Sequence, residues 1–303
     1  MIDKLTFLLA LSREKHFGRA AEACGVTQPT LSAGIKQLET GLGVLLVYRS
    51  AKFGGFTPEG ERVLEWARRI VSDARAMHDE VRSLRNGLSG HLRLAVVPTA
   101  LPIVTRLTTP LAARHPDVTF SVRSCNSLEV LELMDNLEAD AGITYVGSEP
   151  LGRVRSLALY EECYRLLIAA DEPLGARAEV SWLEVASVKL SLLTRDMQNR
   201  RIMDRRLHKA GADPMPVLET NSMIVLLSHV RTGKWASVLP ALVAETLLAG
   251  GEDGAAPIRC IPIREVDPLP VIGLVYPHRE PLMPLTAALV TETRRIFQGE
   301  RAF

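Results

Sequence analysis

The chain predicts an α/β protein in three parts: a winged helix-turn-helix, a long coiled-coil linker helix, and a two-lobed α/β domain. Three observations carry this. Residues 17–43 hold two short helical patterns that meet at Gly25. Residues 58–88 hold an apolar stripe in steps of four and three, and from residue 91 apolar strand runs alternate with helical segments.

In the first part, Ala20, Ala21, Val26, Leu31, Ile35 and Leu38 fall where two helices at a steep angle touch. The alanines allow close approach and Gly25 permits the turn. Thr27 is a good N-cap for the second helix, and Pro29 lies in its first turn, where a missing N–H does no harm. Gln28, Thr30, Ser32, Lys36 and Gln37 then form a polar exposed face, the layout of a recognition helix for the major groove. An αα-hairpin with no nucleic-acid role has the same apolar positions. Residues 45–49 read as a short strand, 51–55 as a turn and 56–58 as a return strand. This β-wing places Arg49 and Lys52 for phosphates or the minor groove.

From Pro58 to Leu88 the stripe is Val63, Ala67, Ile70, Ala74, Met77, Val81, Leu84 and Leu88. A stripe this narrow suits a coiled-coil seam, and the helix would be roughly 45 Å long at ~1.5 Å per residue. The expectation is dimerisation through this helix; the alternative is a helix lying across its own domain.

Beyond it, strands are expected at 91–97, 118–122, 141–145, 164–169, 190–193, 216–218, 236–239, 258–263 and 271–276. Helices are expected at 100–114, 127–138, 198–210, 222–232, 241–249 and 282–298. The alternation implies a parallel sheet with helices on both faces. The loop at 145–153 leads toward one hinge, and a second crossing falls near Glu265–Pro268. The division that follows is residues 1–58, 59–88 and 89–303, the last with lobes 91–160 plus 268–303 and 161–267.

Ligands of open α/β sheets lie beyond the carboxyl ends of the strands. Four such ends open helices here: Thr99 and Ala100; Asn126 and Ser127; Thr194 with Gln198 and Asn199; and Asn221. Converging helix N-termini favour a small anion such as a carboxylate, with Arg195 and Arg200 as further charge or as surface residues. Each hydroxyl or amide would also serve as a plain helix cap.

Composition bounds the function. Apolar residues make up 47% of the chain, enough for each domain to bury a core, and the formal net charge is +1. Residues 1–88 carry 13 Lys and Arg against 10 Asp and Glu, and the rest carry 23 against 25. One module so weakly basic binds DNA poorly, whereas two or four copies sum their phosphate contacts. Cys24, Cys125, Cys163 and Cys260 are far apart with no CxxC, and the histidines form no ligand pattern, so neither metal nor cofactor is expected. Free thiols in a reducing cytoplasm are one reading, and a redox switch at Cys125 or Cys163 is another. Leu5–Leu11 is broken by Thr6 and followed by charge, and no apolar run reaches a membrane span. The expected location is the cytoplasm. No GxSxG, HExxH or P-loop occurs, which argues against an enzyme. A transport-type solute-binding protein would not need the first 88 residues, and an architectural DNA protein would not need a cleft.

These residues resemble the LysR-type transcriptional regulators. The resemblance rests on Ala20–Ala21, TQPTLS at 27–32, IKQLE at 35–39, LG at 42–43, Arg49 and TPEG at 57–60. Gly18, Ala33 and Tyr48 depart from the family pattern and bear on the operator sequence. The resemblance implies a two-lobed domain like the periplasmic solute-binding proteins, with an effector in its cleft, and a homodimer or homotetramer on double-stranded promoter DNA. RNA polymerase is then a further expected partner, and no membrane. Base edges and the adjacent backbone fall to Gln28, Pro29, Thr30 and Ser32, and phosphates to Lys36, Arg49 and Lys52. Residues 16–32, 196–202 and 221–237 also look like LysR-type proteins found beside formate dehydrogenase genes, which makes formate a candidate effector.

Overall fold

The computed structural model describes residues 1–49, 53–147, 151–213, 215–249, 258–264 and 267–300. Two compact units emerge, residues 1–90 with the short stretches 135–138 and 280–287, and the remainder.

The first unit runs α1 (Ile2–Glu14), α2 (Phe17–Ala23), α3 (Gln28–Leu42), β1 (Val47–Arg49), β2 (Phe53–Phe56) and α4 (Pro58–Asn86). His16 starts α2, its Nδ1 accepting from the N–H groups of Gly18 and Arg19 at 3.1 and 3.3 Å. Gly25, at φ +66°, makes the turn into α3. Thr27 caps α3 by accepting from the Thr30 N–H, and its hydroxyl also lies 2.9 Å from that of Thr30. The core packs Leu5, Leu8 and Leu11 of α1 on Ala20 and Ala21 of α2 and on Leu31, Ile35 and Leu38 of α3. Each large aliphatic chain buried there contributes about 1.5–3 kcal/mol.

The wing differs in register from its expectation. The return strand is Phe53–Phe56, antiparallel to β1 with Arg49 opposite Phe53, while Thr57 and Pro58 begin α4. Phe53 and Phe56 stack edge-on at 5.2 Å, so this segment has an aromatic packing reason to be strand. Lys52 lies outside the described residues. The buried Glu39 anchors the wing, its Oε1 accepting from the N–H groups of Leu46 and Val47 at 2.9 and 3.2 Å.

The long helix is also only in part what its stripe implies. Ala67 is fully buried beside Leu64 and Val71, so the first turns of α4 lie on their own domain. Farther along, Met77, Val81 and Leu84 are exposed, Leu84 by 82%. Trp66 and Ile70 are exposed as well and continue the same face.

The second unit holds two five-stranded sheets. The first is built from β3 (Gly90–Val96), β4 (Val118–Ser124), β5 (Ala141–Val146), β6 (Val154–Glu161) and β12 (Val271–Pro277), in the order β4-β3-β5-β12-β6. The second is built from β7 (Tyr164–Ala169), β8 (Leu190–Leu193), β9 (Leu218–Thr220), β10 (Ala236–Pro240) and β11 (Ile258–Pro262), in the order β11-β7-β10-β8-β9. The helices are α5 (Leu101–Arg114), α6 (Ser127–Asp135), α7 (Trp182–Val185), α8 (Gln198–Lys209), α9 (Met223–Val230), α10 (Ala241–Leu248) and α11 (Pro284–Glu300). The chain crosses between sheets at 161–164 and again between β11 and β12, where residues 265 and 266 of the expected second crossing lie outside the described residues.

The sheets are mixed rather than parallel. β3 pairs parallel with β5, and β8 with both β9 and β10, but β12 and β7 run against both of their neighbours. These are the two strands by which the chain enters a sheet from the other one. A strand leaving its sheet ends on the crossing side, so the strand that arrives must start there and run back. Glu161 at the end of β6 accordingly lies opposite Val271 at the start of β12. β6 itself is not among the strands expected from the sequence; of the expected loop at 145–153, residues 145 and 146 belong to β5 and 148–150 lie outside the described residues.

Gly60 sits where α4 presses on the wing: a Cβ there would lie 2.1 Å from the Leu46 carbonyl oxygen. Gly60→Ala is expected to cost about 1–3 kcal/mol, read as a lower urea midpoint. An unchanged midpoint would mean that α4 and the wing do not meet as described.

Candidate functional site

Two surfaces carry the residues that the sequence singles out. On the first unit, α3 turns Leu31, Gly34, Ile35 and Leu38 inward, which leaves Gln28, Pro29, Thr30, Lys36 and Gln37 exposed and Ser32 half-buried. The helix is held on three sides: by the Thr27 cap, by α1 through Gly34, whose absent Cβ leaves room for the Phe7 ring, and by Glu39 at the wing. A rigid helix with short polar side chains at its N-terminal end meets the geometric demand of base-edge readout. Arg49 stands in the adjoining strand β1.

On the second unit, a small cavity opens at the carboxyl ends of the strands. It is lined by Thr99 on the short turn after β3, Asn126 and Ser127 at the start of α6, Tyr145 at the end of β5, and Gln198 and Asn199 at the start of α8. Its space, about 10 Å³, is on the order of one water-sized probe. Thr99, Ser127, Gln198 and Asn199 are thus brought together as the sequence predicts. Ala100 is buried at the end of the same turn as Thr99, and Thr194 is half-buried next to Leu193 of the lining. Asn221 is exposed and does not line the cavity. It follows β9, the edge strand of its sheet, so its helix start lies one strand farther out. Three helix starts converge rather than four.

Among the described residues, buried polar atoms of the lining lack partners at Ser127 Oγ and Asn199 Oδ1, as does the nearby Thr194 Oγ1. Each costs about 1–3 kcal/mol if left unsatisfied, so a polar guest is favoured over an apolar one. The lining holds no charged side chain among the described residues. Arg200 is fully buried, but its Nη1 donates to the Leu193 carbonyl and to Glu219, and its Nε to Asp204, each at 2.7 Å. Arg195 is an exposed side chain 3.9 Å from Glu219. Neither reaches the cavity.

Behind the lining lies a group that the sequence reading missed. Glu162, on the first crossing, is 1% exposed. Its Oε2 accepts from the hydroxyls of Tyr145 at 2.7 Å and Tyr164 at 3.0 Å, and from Asn199 Nδ2 at 3.4 Å. The Tyr145 hydroxyl lies 3.0 Å from that of Thr99. Burial pushes the Glu162 carboxyl up to about 7, against the opposing effect of these donors. Burial and the neighbouring carboxyl likewise raise both tyrosines. The one available signal was an acid pair, Glu161 and Glu162, between two strand runs.

A larger open cleft of about 480 Å³ lies along the other half of α8. Its three cations are engaged: Lys209 pairs with Asp267 at 2.8 Å, Arg206 donates to the Pro268 carbonyl and stacks over Tyr164 and Trp182, and Arg205 donates to the Arg201 carbonyl at 3.4 Å. These contacts fasten α8 to the second crossing.

Comparison with known proteins places both surfaces in one family. Residues 2–61 match the bacterial regulatory helix-turn-helix protein, lysR family, and residues 85–298 match the LysR substrate binding domain. A hydrogen peroxide-inducible genes activator of Pectobacterium carotovorum subsp. carotovorum is 28% identical over 302 residues, covering 98% of this chain and 97% of that protein. The DNA-binding transcriptional dual regulator OxyR of Escherichia coli K12 is 28% identical, covering 93% and 90%. The solved structure of a full-length OxyR variant from Pseudomonas aeruginosa aligns with a TM-score of 0.73 at 25% identity, covering 97% of each chain. Among the described residues no helix is long and apolar enough to cross a membrane. The chain belongs to the LysR family, as a DNA-binding transcriptional regulator with an effector-binding domain and not as an enzyme.

Proposed function

We propose that the protein senses a small anionic metabolite, a carboxylate with formate as the candidate, in the cavity at the strand ends, and passes occupancy to promoter DNA. The observation that carries this is the cavity itself: a tight, neutral-walled space at three helix starts with Ser127 Oγ and Asn199 Oδ1 left unpaired. Helix N-termini supply the N–H groups and partial positive charge that an anion needs, and the small volume favours a ligand of few heavy atoms. In this reading residues 1–58 bind DNA, 59–88 join protomers along the exposed stripe of α4, and 89–303 respond to the effector. The assembly is a homodimer or homotetramer that meets RNA polymerase at the promoter.

The Pectobacterium relative is a hydrogen peroxide-inducible genes activator, which raises thiol chemistry as a second reading. Among the described residues no cysteine lines the cavity. Burial, reinforced by Glu129, pushes the Cys125 thiol up to about 11, so at neutral pH it is not the nucleophilic thiolate that peroxide requires. Effector binding is preferred for the cavity, and the thiol reading rests on Cys163, a free, half-buried cysteine next to Glu162 in the chain.

Formate, acetate and larger carboxylates added to the full chain should separate by size, the smallest giving a rise in melting temperature. In Thr99→Val and Ser127→Ala that rise should vanish while DNA affinity stays unchanged; loss of both would make these residues structural. On DNA, Gln28→Ala is expected to cost about 1–3 kcal/mol at one operator position, and an equal loss on every sequence would contradict base readout. Arg49→Ala should lower the salt slope by about one on all sequences. Replacing Met77 and Leu84 together by Lys should shift sedimentation toward monomer, and an unaltered oligomer would place the interface elsewhere.

A further inference from the structure

Among the described residues Glu162 has no charge partner where it lies. From β5 it faces Tyr145, from β7 Tyr164, from α8 Asn199, and from the strand that leads to it Tyr160. All four are neutral. Glu161 is exposed to solvent, and Arg206 is spent on the Tyr164 and Trp182 rings and the Pro268 carbonyl. Tyr145, Tyr164 and Asn199 donate to Oε2, the Thr99 hydroxyl is a further neutral neighbour, and among the described residues Oε1 has no hydrogen-bond partner. A buried carboxylate without a cation carries a heavy desolvation penalty, which taking up a proton removes. Tyr145 and Asn199 both line the cavity and both donate to Glu162, so an anion in the cavity is separated from this carboxyl by one side-chain group.

We infer that Glu162 makes the small cavity a proton-coupled anion site: its carboxyl is neutral whenever a carboxylate occupies that cavity. Binding above neutral pH then draws one proton from solvent onto Glu162, and no other bond changes. The residue thereby selects against anions as pH rises. This rests on the anionic-effector reading above, and the first arm of the test is independent of it.

In the ligand-free full chain, infrared difference spectra should show a carboxylic-acid C=O band that disappears as pH is raised through about 7 and is missing from Glu162→Gln. Tyr145→Phe, which removes a donor favouring the charged form, should keep the band to higher pH. A wild-type spectrum without that band at pH 6 would overturn the inference whatever the ligand. With formate as probe, affinity should be about tenfold weaker at pH 8 than at pH 6, as the competent fraction falls, and flat with pH in Glu162→Gln. A slope that survives in Glu162→Gln overturns the coupling. If formate binds at no pH while the band titrates as described, the effector reading fails and the neutral carboxyl stands.

Discussion

The demand that a buried polar group find partners organises the effector-binding half of this protein. Glu162 lies on the first passage of the chain from one sheet to the other, and its backbone N–H donates to Pro270 on the second passage at 2.8 Å. Its carboxyl gathers Tyr145 from the first sheet and Tyr164 and Asn199 from the second lobe. Both crossings and both lobes therefore meet at one residue, the second crossing through its backbone and the lobes through its carboxyl. Because the crossings stand on the carboxyl-end side of the outgoing strands, that same side holds the helix starts and the cavity. The crossing and the cavity lining share Tyr145 and Asn199 as contacts, which is the physical route by which a bound effector would bias the relation of the lobes.

The DNA-binding half uses the same device on a smaller scale. Glu39 spends its carboxylate on two strand N–H groups, and the Thr57 hydroxyl donates to the Leu45 carbonyl at 2.6 Å while accepting from the Gly60 N–H. Helix α3, the wing and the long helix are thus tied to each other through the backbone at 45–47. The long helix then changes role along its length, core element where Leu64, Ala67 and Val71 face inward and open apolar face from Met77 to Leu84.

Local chemistry made much of this legible beforehand. The Thr27 cap, the Gly25 turn and the apolar spacing of α3 are properties of a few neighbouring residues, and strands such as 164–169 and 190–193 are short apolar runs that no helix pattern fits. Thr99, Ser127, Gln198 and Asn199 were found by the same route, since each follows a strand and opens a helical turn or lies at a helix start. Asn221 shares that local signature and fails, because only the order of strands in the sheet says that its strand is the edge. β6 was hidden for a related reason: its run of mixed side chains becomes a strand through pairing with β12, more than a hundred residues away in the chain.

What the amino-acid order by itself determined were the pieces held by near neighbours: caps, turns, helix faces, strand runs and the family to which they point. Tertiary structure alone decided which strand ends share a cavity, which way β7 and β12 run, and that a carboxyl at position 162 stands behind the wall. Those depend on contacts between residues far apart in the chain, and a glutamate on paper carries no mark of whether water or two tyrosine hydroxyls will surround it.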